Sequence, residues 1–215
     1  MKTNMAEKLS DIVAKIKSGA MKGPKPEMAK PQMDFDMLFD KHSKMVCPDF
    51  TSNKSIEYIK AYFLALSNGY IKKGLYVYGN VGVGKSTLIK IFRNMGKEVY
   101  QEFGFKGLWF SECTAPWLVN EKMASVSPGY DGSFDYDLYT KGKLYIDDLG
   151  MESLCFNNYE LMSKLLFERH RNDAITFISS NMAPSDVLHR YGPQIFDRMG
   201  QMFHIVKWEG KSLRP

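Results

Sequence analysis

Short apolar runs and helically spaced stripes alternate along most of this chain. Leu75-Tyr76-Val77-Tyr78 is continuous enough to form a buried strand, and Thr87-Leu88-Ile89-Lys90-Ile91-Phe92 after it has helical spacing. Gly107-Leu108-Trp109-Phe110-Ser111 predicts a second strand and residues 115–124 a helix. Lys143-Leu144-Tyr145-Ile146 begins a third strand that ends on acidic residues. Residues 158–171 are apolar at Leu161, Leu165 and Leu166 and predict a helix. Ile175-Thr176-Phe177-Ile178-Ser179-Ser180-Asn181 is a β-branched and aromatic fourth strand, and Met202-Phe203-His204-Ile205-Val206-Lys207-Trp208 a fifth. Upstream, residues 56–66 read as a helix, and Phe35, Leu38 and Phe39 mark a packed turn or short helix within 34–48. Strands alternating with helices predict an α/β domain whose parallel sheet is covered on both faces. No internal repeat interrupts the pattern.

The pattern changes near residue 50. Met5, Leu9, Ile12, Val13 and Ile16 form a helical stripe with Lys8, Lys15 and Lys17 away from it, so residues 4–17 read as a short amphipathic helix. Prolines, glycines and lysines from Ser18 to Pro31 then read as a flexible basic linker. Residues 1–49 are therefore expected to be an appendage to a domain spanning 50–215. Its helix has two open readings: docking in a partner's groove, or covering an apolar patch on its own domain or a neighbouring copy.

Between the first strand and the helix after it lies Gly79-Asn80-Val81-Gly82-Val83-Gly84-Lys85-Ser86-Thr87, which contains G-x-x-x-x-G-K-[ST] in the strand, loop, helix context that this pattern needs. Glycines let successive backbone N–H groups point into one concavity at a helix N-terminus, where dipole and donors favour phosphate. In that setting Lys85 reaches the terminal phosphates of a nucleotide and the Ser86 hydroxyl ligates Mg²⁺. The third strand ends Ile146-Asp147-Asp148-Leu149-Gly150, and in open α/β sheets ligands lie at the carboxyl ends of strands. Asp147 is the candidate partner of Mg²⁺ and Asp148 the candidate that orients or deprotonates an attacking water. Asn181, ending the fourth strand, has two readings: an amide that meets the water or terminal phosphate, or a residue that leads the chain into the next helix.

These segments, with Leu188-His189-Arg190-Tyr191-Gly192-Pro193-Gln194-Ile195-Phe196-Asp197-Arg198-Met199 and the closing Trp208-Glu209-Gly210-Lys211-Ser212-Leu213-Arg214, resemble the AAA+ ATPases of the DnaC helicase-loader and IstB transposition-helper group over roughly residues 50–214. The resemblance implies a P-loop core with a five-stranded parallel sheet in the order 5-1-4-3-2, and no separate lid domain fits in the residues after the fifth strand. It also implies an oligomer in which Arg198 acts as an arginine finger in a neighbour's site. The group commonly has a further arginine one turn earlier, where this chain has Gln194, so Arg198 takes the role, with Arg190 the substitute. Implied partners are a replicative helicase, through residues 1–31, and single-stranded DNA. A transposition helper remains the alternative, and a small-molecule P-loop kinase a further one.

Composition adds boundaries. At 215 residues, 44% hydrophobic and 25% charged, the chain is ordinary for a globular domain with a sizeable core. No apolar stretch is long enough to cross a bilayer, and Cys47, Cys113 and Cys155 have no metal-type spacing, so a cytoplasmic setting is expected. The formal charge of +5 suits nucleic acid and equally plain solubility. For DNA, the segment from Asp131 to Lys143 mixes aromatics and lysines with three aspartates, and its plainer reading is a surface loop; Lys97, Lys106 and Lys122 are other candidate phosphate contacts.

Overall fold

The structure, a computed structural model, describes residues 33–132 and 134–208. The expected helix at 4–17, the linker at 18–31 and the closing segment 209–214 lie outside the described residues. The chain forms two compact units, the first including residues 33–72 and 86–109 and the second residues 73–85 and 110–208.

The first unit is helical. Helix α1 (Phe35–Val46) starts where the Asp34 carboxylate accepts from Met37 N–H, and α2 (Lys54–Ser67) where the Asn53 amide oxygen accepts from Ile56 N–H, each at 3.0 Å. These side chains satisfy donors that a helix start otherwise leaves unpaired. Helix α3 (Lys85–Phe103) supplies Phe92, whose ring stacks on Phe63 at 4.1 Å between centroids and meets Phe39 at 5.3 Å. The aromatic stripe of 35–39 is thus the packed face of a full helix. Glu98 of α3 accepts from Lys41 and sits 3.0 Å from His42 Nε2, and the Lys41 hydrogen bond holds its carboxyl below the usual range.

The second unit carries the sheet: β1 (Gly74–Gly79), β2 (Ser111–Thr114), β3 (Leu144–Leu149), β4 (Thr176–Ser180) and β5 (Phe203–Trp208). Every pairing is parallel and the order is β2-β3-β4-β1-β5, the expected 5-1-4-3-2 read from the other edge. Helices α4 (Ala115–Ala124), α5 (Leu161–Arg171), α6 (Pro184–Tyr191) and α7 (Pro193–Met202) connect the strands. Their buried residues Leu118, Leu165, Val187 and Ile195 share one apolar cluster with Leu144, Ile146 and Ile178 of the sheet.

Two boundaries differ from expectation. The second strand runs over 111–114 rather than 107–111, because this edge strand pairs only with β3 and buries only Cys113. The apolar run before it, Leu108 to Phe110, packs without entering the ladder. Helix α5 begins at Leu161 rather than 158, because Cys155 and Tyr159 exchange backbone hydrogen bonds of 2.8 and 2.9 Å and hold the chain in a turn.

Arg169, fully buried on α5, fixes the loop that precedes β3. Its guanidinium donates to the carbonyls of Tyr139, Lys141, Gly142 and Ile175 and to the Thr176 hydroxyl, at 2.6–3.2 Å. Burial lowers its pKa to about 10, which leaves it charged at neutral pH. In the same region Phe134, Tyr136 and Tyr139 pack against the apolar cluster, so the aromatics of the 131–143 segment face the protein's own core, while Leu138 is exposed. Among the described residues no helix is long and apolar enough to cross a membrane, and the three cysteines are free.

Candidate nucleotide site

The site grows from the carboxyl ends of β1, β4 and β3, which lie side by side and point the same way. Strand β1 ends on Gly79 with φ +153°, and a Cβ there would stand 2.3 Å from the Trp208 carbonyl oxygen. Only glycine permits that approach of β5 at the turn's entrance. Gly82 and Gly84 follow with φ of +82° and +94°, so the chain turns through conformations that side-chain-bearing residues avoid and enters α3 at Lys85.

Lys85 is 8% exposed, and its ammonium donates to the carbonyls of Gly79 (2.7 Å) and Asn80 (2.8 Å) and to Oδ1 of Asn181 (3.0 Å). The last bond joins the glycine turn to the end of β4. Asn181 also stands three residues before the next helix, α6. That helix is capped at Ala183, whose N–H donates to Asp186 at 2.8 Å.

Asp147 and Asp148 owe their placement to a bulge. Ile146 pairs with Ile178 and Leu149 with Ser180, so the two aspartates stand opposite the single residue Ser179. Asp148 has φ +53° and an exposed side chain, whereas Asp147 is partly buried. Oδ1 of Asp147 accepts from the Tyr145 hydroxyl (2.7 Å), the Asp148 N–H (3.0 Å) and the Ser179 hydroxyl. Ser180 donates to the Leu149 carbonyl at 2.6 Å and closes the pairing beyond the bulge. Beside Asp147 opens a cleft of about 510 Å³ lined by Glu112, Cys113, Thr114, Trp117 and Tyr145.

Glycine-turn donors and an ammonium at the end of β1, with a carboxylate at the end of β3 one strand further on, are the chemistry that a triphosphate with a hard divalent cation requires, so the residues present fit ATP and Mg²⁺. Ser86 and Thr87 follow Lys85 as the next residues of α3. Arg198, on α7, donates to the Gln194 carbonyl at 2.6 Å and lies 4.7 Å from the Phe167 ring centroid. Arg190, expected only as a substitute for Arg198, is engaged by Glu152 at 3.1 Å and Glu160 at 3.6 Å. The sequence reading missed Tyr145 and Ser179, whose hydroxyls signal nothing until the bulge sets them beside Asp147.

No family model matches the chain, and no curated protein matches it. Among solved structures it is similar to the DnaC helicase loader, at 21% identity over 76% of this chain and 96% of that one, with a TM-score of 0.60. It is similar to DnaI at 19% identity over 78% of this chain and 93% of that one, with a TM-score of 0.58. The chain shares the fold of these two structures, with its five-stranded parallel sheet in the order β2-β3-β4-β1-β5. A third similar structure, the replication initiator DnaA bound to AMPPCP and single-stranded DNA, is 17% identical over 76% of this chain and 49% of that one, with a TM-score of 0.54. The resemblance to a DnaC-like AAA+ protein therefore holds at the level of fold.

Proposed function

We propose that this protein is an Mg²⁺-dependent ATPase of DNA replication that loads or remodels a replicative helicase on single-stranded DNA, working as a homo-oligomer. The observation that carries the reading is the Lys85–Asn181 bond, which unites the glycine turn of β1 with the end of β4. The DnaC and DnaI structures support the replication assignment by their shared fold, and the AMPPCP in the DnaA structure supports a nucleotide ligand.

In this reading the N–H groups of residues 79–87 cradle the phosphates. Lys85 gives up a carbonyl acceptor for a phosphate oxygen, a favourable exchange because the new acceptor is charged. Ser86 and Asp147 would hold Mg²⁺, which would supply positive charge to offset that of the triphosphate. Asp148 accepts a proton from the attacking water and Asn181 orients that water or the terminal phosphate. The water oxygen bonds to the γ-phosphorus, the bond to the bridging oxygen breaks, and ADP departs. Arg198 of one protomer neutralises the phosphoryl group in its neighbour's site. To do so it must leave the Gln194 carbonyl and the Phe167 ring that hold it in the single chain. Residues 1–31 contact the helicase.

ATP turnover measured alone, with single-stranded DNA and with a replicative helicase tests this reading. Turnover that rises with DNA or helicase is expected, and helicase retained by a peptide of residues 1–31. Arg198→Ala should bind ATP without hydrolysing it and regain turnover when mixed with Lys85→Ala, which supplies the finger in trans. Turnover raised only by a small hydroxyl-bearing acceptor would overturn the reading in favour of a kinase.

A further inference from the structure

Two hydroxyls meet the Asp147 carboxylate from two different strands. Tyr145 precedes Asp147 by two residues on β3, so both side chains leave the same face of the sheet. Ser179 comes from β4, opposite the bulge. The Tyr145 hydroxyl lies 2.7 Å from Asp147 Oδ1 and 3.0 Å from Ser179 Oγ, and Ser179 itself reaches the same carboxylate oxygen. The Asp148 N–H completes the set, 3.0 Å from Oδ1 and 3.3 Å from Ser179 Oγ. Both hydroxyl-bearing residues are buried, Tyr145 at 4% exposure and Ser179 at 1%. The Tyr145 ring is fixed edge-on by Phe110, 6.5 Å between centroids at 78°.

A bulged strand end with an exposed positive-φ neighbour is a poor place to fix a carboxylate by backbone alone. A half-buried aspartate on such an end would rotate about its side-chain bonds and sample several orientations. The clamp removes that freedom, because hydrogen bonds to an ionised acceptor are short and strong and the donors here are rigid. We propose that Tyr145 and Ser179 are positioning residues that hold Asp147 in the orientation in which it receives Mg²⁺ with the triphosphate. The inference rests on the Mg²⁺-dependent ATP site proposed above and adds to it the residues that set its metal affinity.

The test is a magnesium titration of nucleotide binding, followed with a fluorescent ATP analogue on the full chain. Tyr145→Phe keeps the ring against Phe110 and deletes one hydroxyl; Ser179→Ala deletes the other. Each should raise the Mg²⁺ concentration at half-saturation by about 10- to 150-fold, the range for losing one hydrogen bond to a charged group. Nucleotide binding without Mg²⁺ and the melting temperature should stay near those of the unaltered chain. The double variant should cost less than the product of the single effects, since both hydroxyls act on one oxygen. A merely structural pair would lower the melting temperature and leave the magnesium midpoint unmoved, and that result overturns the inference. Its failure is separable from failure of the ATPase reading. If the unaltered chain shows magnesium-dependent binding and both variants match it, only the clamp falls; if the unaltered chain binds no nucleotide, the ATPase reading falls and the clamp with it.

Discussion

His204 shows how a single residue in this fold translates burial into a pH response. It stands on β5, and desolvation, reinforced by the Lys73 ammonium, lowers its pKa from 6.5 to about 4. Below pH 6.5 the unfolded chain takes a proton that the folded chain refuses until about pH 4, so stability falls as pH drops through that window and is unaffected by this residue above it. Thermal melts of the unaltered chain and His204→Gln should coincide near pH 7.5. At pH 5 the variant should be favoured by an amount of order 1–2 kcal/mol, allowing for partial exposure. A constant difference across pH would place the acid sensitivity elsewhere. At this scale the sequence was legible wherever chemistry and local conformation coincide. Gly79, Gly82, Gly84 and Lys85 form a turn by short-range geometry alone. His204 carried no such signal, because its environment is made by a strand and a lysine brought together only on folding.

Among elements, the connection from the acidic turn to α6 depends on one buried carboxylate. Glu152, whose side chain is fully buried, accepts from Gly150 N–H at 2.8 Å, from Arg190 at 3.1 Å and from the Tyr191 hydroxyl at 2.5 Å. It thereby ties the chain just after β3 to the last turn of α6. Glu152→Ala leaves an arginine and a buried hydroxyl without that partner and should cost about 3 kcal/mol, visible as a lower urea midpoint with an unchanged slope. A loss under about 0.5 kcal/mol, the size of an exposed ion pair, would show that the network contributes little. Elements were readable where an apolar run was also a paired strand, as in β1, β3, β4 and β5. They were displaced where packing and pairing separate, as at Leu108 to Phe110 before β2. Arg169 illustrates the limit: three of its hydrogen bonds hold the loop before β3 from inside and two reach Ile175 and Thr176 at the start of β4, contacts that no local pattern announces. The bulge at Asp147 was equally hidden, since register depends on two strands and only one is local to the motif.

For the whole molecule, the parallel order β2-β3-β4-β1-β5 sets the ends of β1, β4 and β3 side by side, and that adjacency turns separate motifs into one candidate site. Composition and charge left the molecular partner open, and the DnaC and DnaI structures share the fold with this chain. The central claim is that a triphosphate and Mg²⁺ are held jointly by Lys85 and Asp147. Calorimetric titration of ATP into the unaltered chain, Lys85→Ala and Asp147→Asn, each with and without Mg²⁺, tests it most directly. The account predicts saturable, magnesium-strengthened binding to the unaltered chain. Lys85→Ala should weaken it about 100-fold, as loss of charge-assisted contacts to phosphate implies, and Asp147→Asn should bind with little response to Mg²⁺. Equal binding by the unaltered chain and Lys85→Ala, or no binding by either, would contradict it.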